Sequence, residues 1–203
     1  MIRNYQDLKP IIGQFNKVLV TGPHGAGNKI AANIIAMDFN LPYLRGENTW
    51  YHSEYNDPNI DVGLVTYHET IKNTQWSMFA PSQAAHLHNI SEYLDDVLVV
   101  FMYKSLNEIK DYSVRNSFVK NSTHLYEIST RSQIIEKDFP DLEFLKNWGV
   151  EEATYFLWEV KQKKIVKNYI ELEHNSLSGH ELWVSKEDRR HFKEWQIKED
   201  EKQ

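Results

Sequence analysis

The stretch KVLVTGPHGAGNKIAANIIA, Lys17 to Ala36, decides the fold. Lys17–Thr21 is a short β-branched run, the mark of a buried strand, and it stops at a glycine-rich turn. Ile30, Ile34, Ile35 and Phe39 then recur at helical spacing, which predicts a helix over Asn28–Phe39. Strand, glycine-rich turn and helix in that order form the setting a phosphate-binding loop requires. Gly22, Gly25 and Gly27 let the backbone take positive φ and turn its N–H groups towards an anion. The helix that follows aims its orphan donors and partial positive charge at the same point. Against G-x-x-x-x-G-K-[ST], Gly22 and Gly27 match, but Asn28 stands at the lysine position and Lys29 at the hydroxyl position. One residue is about 100° of helix rotation, so Lys29 leaves the chain in a different direction from a lysine at 28. The hydroxyl that would ligate Mg²⁺ is absent.

Further along, Asp96–Tyr103 (DVLVVFMY) is apolar without alternation, as a central parallel strand covered on both faces requires. Helices are expected on either side of it, over Pro81–Tyr93 and Leu106–Phe118. Gln75–Phe79 is a weaker strand candidate. Val119–Lys167 reads as mostly helical, with Pro140 breaking the run. Tyr169–Glu173 (YIELE) alternates and reads as a late strand near an edge. Strands alternating with helices imply an α/β fold of three layers around a parallel sheet of about five strands. Such sheets bind ligands outside the carboxyl ends of their strands, which gathers residues 22–29, 80–82 and 103–105 on one rim.

The chain has 203 residues, short of two ordinary domains, so one domain over 1–197 is expected, with a charged, frayed tail at 198–203. A formal charge of −6 argues against duplex nucleic acid or an anionic membrane as a whole-surface partner. No apolar run approaches the roughly 20 residues needed to span a bilayer. The opening MIRNYQDLKP has no apolar h-region, so a cytoplasmic address is expected. The chain has no cysteine, which excludes disulfides, thiolate catalysis and Cys-ligated metal.

The loop and its surroundings resemble those of P-loop kinases and sulfotransferases, especially small P-loop proteins of phages and bacteria, which carry T-G-P-x-x-S-G-T-T after a strand. Thr21, Gly22, Pro23 and Gly27 match that pattern; Ala26, Asn28 and Lys29 depart from it. The resemblance implies that residues 22–28 (Gly22, Pro23, Gly25, Ala26, Gly27 and Asn28 among them) cradle the phosphate chain of a nucleotide donor. Sulfotransferases hold the 5′-phosphosulfate of PAPS on such a loop without Mg²⁺. Their second signature, R-[ND]-P-x-[DE]-x-x-x-S, grips the donor's 3′-phosphate. In MYKSLNEIKDYSVRNSF, Lys104 stands for its arginine and Glu108 for its acid. Ser113 falls one place late, and Arg115 lies one helical step on. The late strand running into YIELEHNSL is similar to the closing strand of that fold, and the resemblance spans residues 17–177.

Lys29 and His24 are the candidates for catalytic work, the imidazole of His24 as a donor to a phosphoryl or sulfuryl oxygen. His86 and His88 are two apart and do not form the i, i+4 pair of a zinc helix, so packing is their expected fate. His68 and His174 are remoter candidates. Lys186, Arg189 and Arg190 form a late basic cluster, read either as a closing segment or as a solvated helix face. Trp50, Tyr51, Trp76, Phe79 and Trp183 are expected mostly in the core. With no acid at the tip of the second buried strand, ordinary metal-dependent ATP hydrolysis is disfavoured and no metal is expected. Three readings follow: a sulfotransferase-like group transferase using PAPS, an ATP-dependent kinase using Lys29 with Glu69 or Glu47 near the metal, and a nucleotide-binding protein without turnover. Each takes a small-molecule or nucleotide partner.

Overall fold

Lys17–Thr21 forms the expected strand, β1, and it lies at the centre of the sheet. The computed structural model describes residues 4–45, 73–80, 84, 87, 88, 91, 94–109 and 139–183. In chain order the elements are α1 (Tyr5–Ile12), β1, α2 (Asn28–Asp38), β2 (Tyr43–Arg45), β3 (Trp76–Phe79), β4 (Leu98–Tyr103), α3 (Val150–Val160) and β5 (Tyr169–Glu173). The five strands run in the order β2-β3-β1-β4-β5, and every neighbouring pair is parallel.

The period of two along each strand divides the core into two layers. Val18 and Val20 of β1, Val100 and Met102 of β4 and Leu172 of β5 face α1 and α2. Leu19, Met78, Val99 and Phe101 face the opposite way, onto Trp158 of α3 and onto Ala84 and Leu87. This is a three-layer α/β fold with a five-stranded parallel sheet. The segment after β1 leaves to the face of α1 and α2, where Ile109 after β4 also packs, whereas Ala84 and Leu87 after β3 lie on the other face. The divergence between β1 and β3 makes a crevice at their carboxyl ends, the place where α/β sheets bind ligands.

Several boundaries shift for physical reasons. The expected strand Asp96–Tyr103 begins at Leu98, because Asp95 and Asp96 form a turn: Asp96 pairs with Lys17, and Asn168 Nδ2 donates to the Asp95 carbonyl at 2.9 Å. The helix expected to reach Phe39 stops at Asp38. Pro140 opens a 3-10 segment, Pro140–Asn147, where near a helix start its missing N–H has no partner to lose; the run expected before it lies outside the described residues. Within 81–93, Ala84, Leu87, His88 and Ser91 lie in 3-10 turns. The helix expected from Leu106 begins there and is described to Ile109; the rest of it lies outside the described residues. Helix α1 and strand β2 are additions to the sequence reading.

Asp38 ties three segments together. It ends α2, where a carboxylate opposes the helix dipole. Tyr5 Oη donates to it at 2.6 Å, Lys9 Nζ at 2.8 Å and His180 Nε2 at 3.2 Å. His180 Nδ1 accepts from the Leu182 N–H at 3.1 Å, which leaves the ring proton on Nε2, facing Asp38. Burial works against the carboxylate, yet the hydrogen bonds from Lys9, Tyr5 and His180 hold its pKa below the ordinary range. Burial, with the Asp38 bond, pushes the Tyr5 phenol far up. A depressed carboxylate pKa adds stability that is present above the unfolded value and lost as pH falls through the folded one. Asp38→Ala is therefore expected to cost about 1–3 kcal/mol near neutrality. In thermal melts, the gap from the parent should close below about pH 4.

Candidate functional site

The loop from Gly22 to Gly27 sits at the tip of β1, inside the crevice. Gly22, Gly25 and Gly27 take φ of +143°, +79° and +89°. Gly27 is the N-cap of α2 and offers no side-chain cap. Pro23 supplies the inner acceptor: its carbonyl receives the Ala26 N–H at 3.2 Å and the Asn28 Nδ2 at 2.9 Å. The N–H groups of Gly25, Gly27, Asn28 and Lys29 donate to no described residue. Four N–H groups without an acceptor among the described residues, at the positive end of a helix, are an arrangement that can hold an anion.

Two bonds fix where the nest stands. Thr21 Oγ1 donates to the Ala80 carbonyl at 2.8 Å, joining the tips of β1 and β3. Ser77 Oγ donates to the Ala32 carbonyl at 2.8 Å, locking α2 to the sheet beneath it. On the other side, a Cβ at Gly22 would fall 2.9 Å from the Met102 carbonyl oxygen, so β4 passes directly beside the loop.

Asn28 and Lys29 behave as the shifted motif implies. The Asn28 side chain folds inward; the residue is 3% exposed, and its amide links the helix to the front of the loop. Its Oδ1 is buried and accepts from no described residue. Lys29 is exposed and makes no ion pair with a described residue. His24 stands in the loop, partly buried. Ala26 is fully buried in the core beneath, so it contributes packing while its neighbours contribute donors.

His174 is the residue whose position the sequence undervalued. It opens the 3-10 turn His174–Leu177 after β5 and is 6% exposed. Its ring lies on Gly27: a Cβ there would stand 2.1 Å from His174 Nδ1 and 2.6 Å from Cε1. The Trp183 ring also packs against it, with ring centroids 4.6 Å apart. A glycine at 27 thus meets two needs, a left-handed backbone and room for an imidazole. The only sequence signal was a histidine directly after the last strand, where the carboxyl rim must be.

Lys104 reaches the same rim at the tip of β4. The Tyr155 hydroxyl accepts from its N–H at 2.9 Å and donates to its carbonyl at 2.7 Å, so one side chain holds both backbone groups. Burial pushes the Tyr155 phenol up to about 12, so the hydroxyl keeps its proton at neutral pH. Glu108, carried over as the acid of the second signature, is bound up in a helix cap: Ser105 Oγ donates to its carboxylate at 3.0 Å and accepts its N–H at 3.4 Å. Ser113 and Arg115 lie outside the described residues, as do His68, His86, Glu47, Glu69, Trp50, Tyr51, Lys186, Arg189 and Arg190.

Beside Tyr155 runs a polar cluster that is internally satisfied. Glu171, 8% exposed, accepts from Trp158 Nε1 at 3.1 Å and Tyr103 Oη at 3.4 Å, with Lys163 Nζ at 3.7 Å. Tyr103 Oη also donates to Glu159 at 2.6 Å, and Lys163 pairs with the same carboxylate. Burial and then the Glu159 bond push the Tyr103 phenol far up. Burial opposes the charge on Glu159, but bonds from Lys163 and Tyr103 hold its pKa below the usual carboxylate range. His88 is a packing residue, as expected: its N–H donates to Gln162 Oε1 at 2.9 Å, and its ring meets Phe139 edge-on at 4.7 Å. Trp76 and Phe79 are buried, whereas Trp183 is half-buried. Among the described residues no group of three or more His, Asp or Glu side chains could hold a metal ion, and no helix is long and apolar enough to cross a membrane.

No protein-family model matches the sequence, and no curated protein does. Among solved structures the chain is similar to shikimate kinase from Acinetobacter baumannii in complex with shikimate. The TM-score is 0.42 and the identity 14%, over 77% of this chain and 96% of that one.

Proposed function

We propose that the protein is a group transferase that holds the phosphate chain of a nucleotide donor on residues 22–29 and works without Mg²⁺, in the manner of a sulfotransferase. The observation that carries this reading is the set of orphan N–H groups at Gly25, Gly27, Asn28 and Lys29, gathered at the tip of the central strand. Backbone donors fixed before binding stabilise charge that develops on a transferring group without reorganising. Lys29 and His24 act at the transferring group. Lys104, held by Tyr155, acts with Ser113 and Arg115 on the donor's distal phosphate. The metal-free part rests on the donor set: a lysine replaces the hydroxyl at 29, and Ala80 and Lys104 stand at the tips of β3 and β4. PAPS is the expected donor, a small molecule or nucleotide the acceptor, and the cytoplasm the working compartment.

Asn28 favours a second reading, nucleotide binding without turnover. A short neutral side chain tied to Pro23 cannot follow a phosphoryl group as a lysine does. A third, ATP-dependent kinase reading needs Mg²⁺. Thermal melts separate the three. PAPS without metal is expected to stabilise the protein by about 2.7 kcal/mol at a hundredfold excess over Kd. A shift that appears only with ATP and Mg²⁺ refutes the metal-free reading. A PAPS shift with no transfer to a panel of hydroxyl acceptors favours binding alone. Lys29→Ala should then lower turnover about 10–100-fold, the loss expected for one charge-assisted hydrogen bond; an unchanged rate removes Lys29 from the mechanism.

A further inference from the structure

The chain after β5 touches both ends of α2. At the front, the His174 ring stands against Gly27, the N-cap of that helix, and the Trp183 ring packs on His174. At the back, His180 Nε2 donates to Asp38, the last residue of α2, at 3.2 Å. His180 also organises the residues that follow it. Its Nδ1 accepts the Leu182 N–H at 3.1 Å, and its carbonyl accepts the Trp183 N–H at 2.8 Å. Leu182 and Trp183 rest half-buried on the core layer of α1 and α2. One side chain therefore shapes residues 180–183 and ties them to α2. Just before it, Ser178 and Gly179 are exposed, and Gly179 takes φ of +91°. A Cβ built at Gly179 meets nothing within 4 Å, so the left-handed backbone, not lack of room, calls for glycine there.

We propose that residues 179–183 form a strap that swings about Gly179 when His180 leaves Asp38, and that its release loosens the loop Gly22–Gly27 through Trp183 and His174. The inference holds whatever the loop binds, and so stands apart from the transferase reading. Once His180 lets go, Trp183 withdraws from His174, and the imidazole loses that packing where it meets Gly27. Asp38 keeps its bonds from Tyr5 and Lys9, so α1 and α2 stay joined while the strap is open. Release is thus a local hinge movement rather than unfolding, with a terminal glycine absorbing the change in φ and ψ. The strap is a control on the loop that acts from outside it: whatever holds the strap open changes the loop without touching it.

The chain has no cysteine, so Leu182→Cys places a single thiol on the strap, and its rate of labelling by dithiobis(nitrobenzoate) reads opening. In that background His180→Ala is expected to speed labelling about tenfold, the ratio that one net hydrogen bond to a carboxylate gives. Gly179→Ala leaves Asp38 and its partners untouched, and it should also speed labelling about tenfold, because the strained residue relaxes only when the strap opens. Hydrogen exchange reads the loop. The Ala26 and Ala31 amides, bonded to the Pro23 and Gly27 carbonyls, should exchange faster in both variants. Tyr5→Phe removes a different bond from Asp38 and should change neither labelling nor exchange. Labelling that ignores both His180→Ala and Gly179→Ala overturns the strap. Faster labelling with unchanged exchange at Ala26 and Ala31 overturns its hold on the loop. An equal response to Tyr5→Phe overturns the proposal as well, because a general loosening of the fold then accounts for the result.

Discussion

Gly27→Ala is expected to destabilise the protein by about 2–5 kcal/mol and to abolish anion binding. Two costs add. An L-residue held at φ +89° loses about 1–2 kcal/mol. A methyl group 2.1 Å from His174 Nδ1 must also displace a buried ring that Trp183 backs, an overpacking cost of about 1–3 kcal/mol. The two are separable. In a His174→Ala background the steric part should disappear and only the backbone part remain, so a double-mutant cycle in urea should return a coupling of about 1–3 kcal/mol. Additive effects would mean that the ring does not occupy the space in front of Gly27.

Trp158→Ala should cost about 3–5 kcal/mol, a large share of a domain's stability. The indole is fully buried, stacked on Phe101 with centroids 4.3 Å apart, and it fills the layer between α3 and the sheet. It also satisfies Glu171 through Nε1. Trp158→Phe keeps a ring in the stack but removes that donor from a buried carboxylate, for about 1–3 kcal/mol. Urea midpoints for the two variants therefore apportion the loss between packing and the polar bond. If Trp158→Phe matches the parent, the indole N–H is not needed to satisfy Glu171.

Much of the scaffold was legible because its signals are local and strong. Lys17–Thr21 and Tyr169–Glu173 begin and end where their patterns place them, and the unbroken apolar run to Tyr103 marks a strand covered on both faces. Helix α1 was also written in the sequence: Asn4 caps it through the Gln6 N–H, and Tyr5, Leu8 and Ile12 form its buried stripe. Pro10 within it reads as a breaker, but the eight-residue helix accommodates the proline. Strand β2 is three residues long and, among the described residues, pairs with β3 alone, too short for any periodicity to show.

The site was half legible. Its glycines announce the loop, because positive φ and close backbone approach select for them at spacings a pattern can detect. The contributions of His174 and Tyr155 come from chain far downstream, brought to the rim by a sheet whose pairing no local pattern encodes. Glu108 shows how one position suits two patterns. Its place four residues after Lys104 suited a binding signature, but it also lies three residues after Ser105, the spacing of a helix cap, and the cap is what forms.

The central position of β1 also has a consequence for biosynthesis. Val18 pairs with Ser77 on one side and Leu98 on the other, so both of its neighbours are made long after it. During translation that strand waits without its flanking partners, and its carboxyl tip acquires a defined surrounding only when β3 and β4 close around it. The arrangement of the loop after β1 is thus a late acquisition of the nascent polypeptide, gained with the assembly of the middle of the sheet.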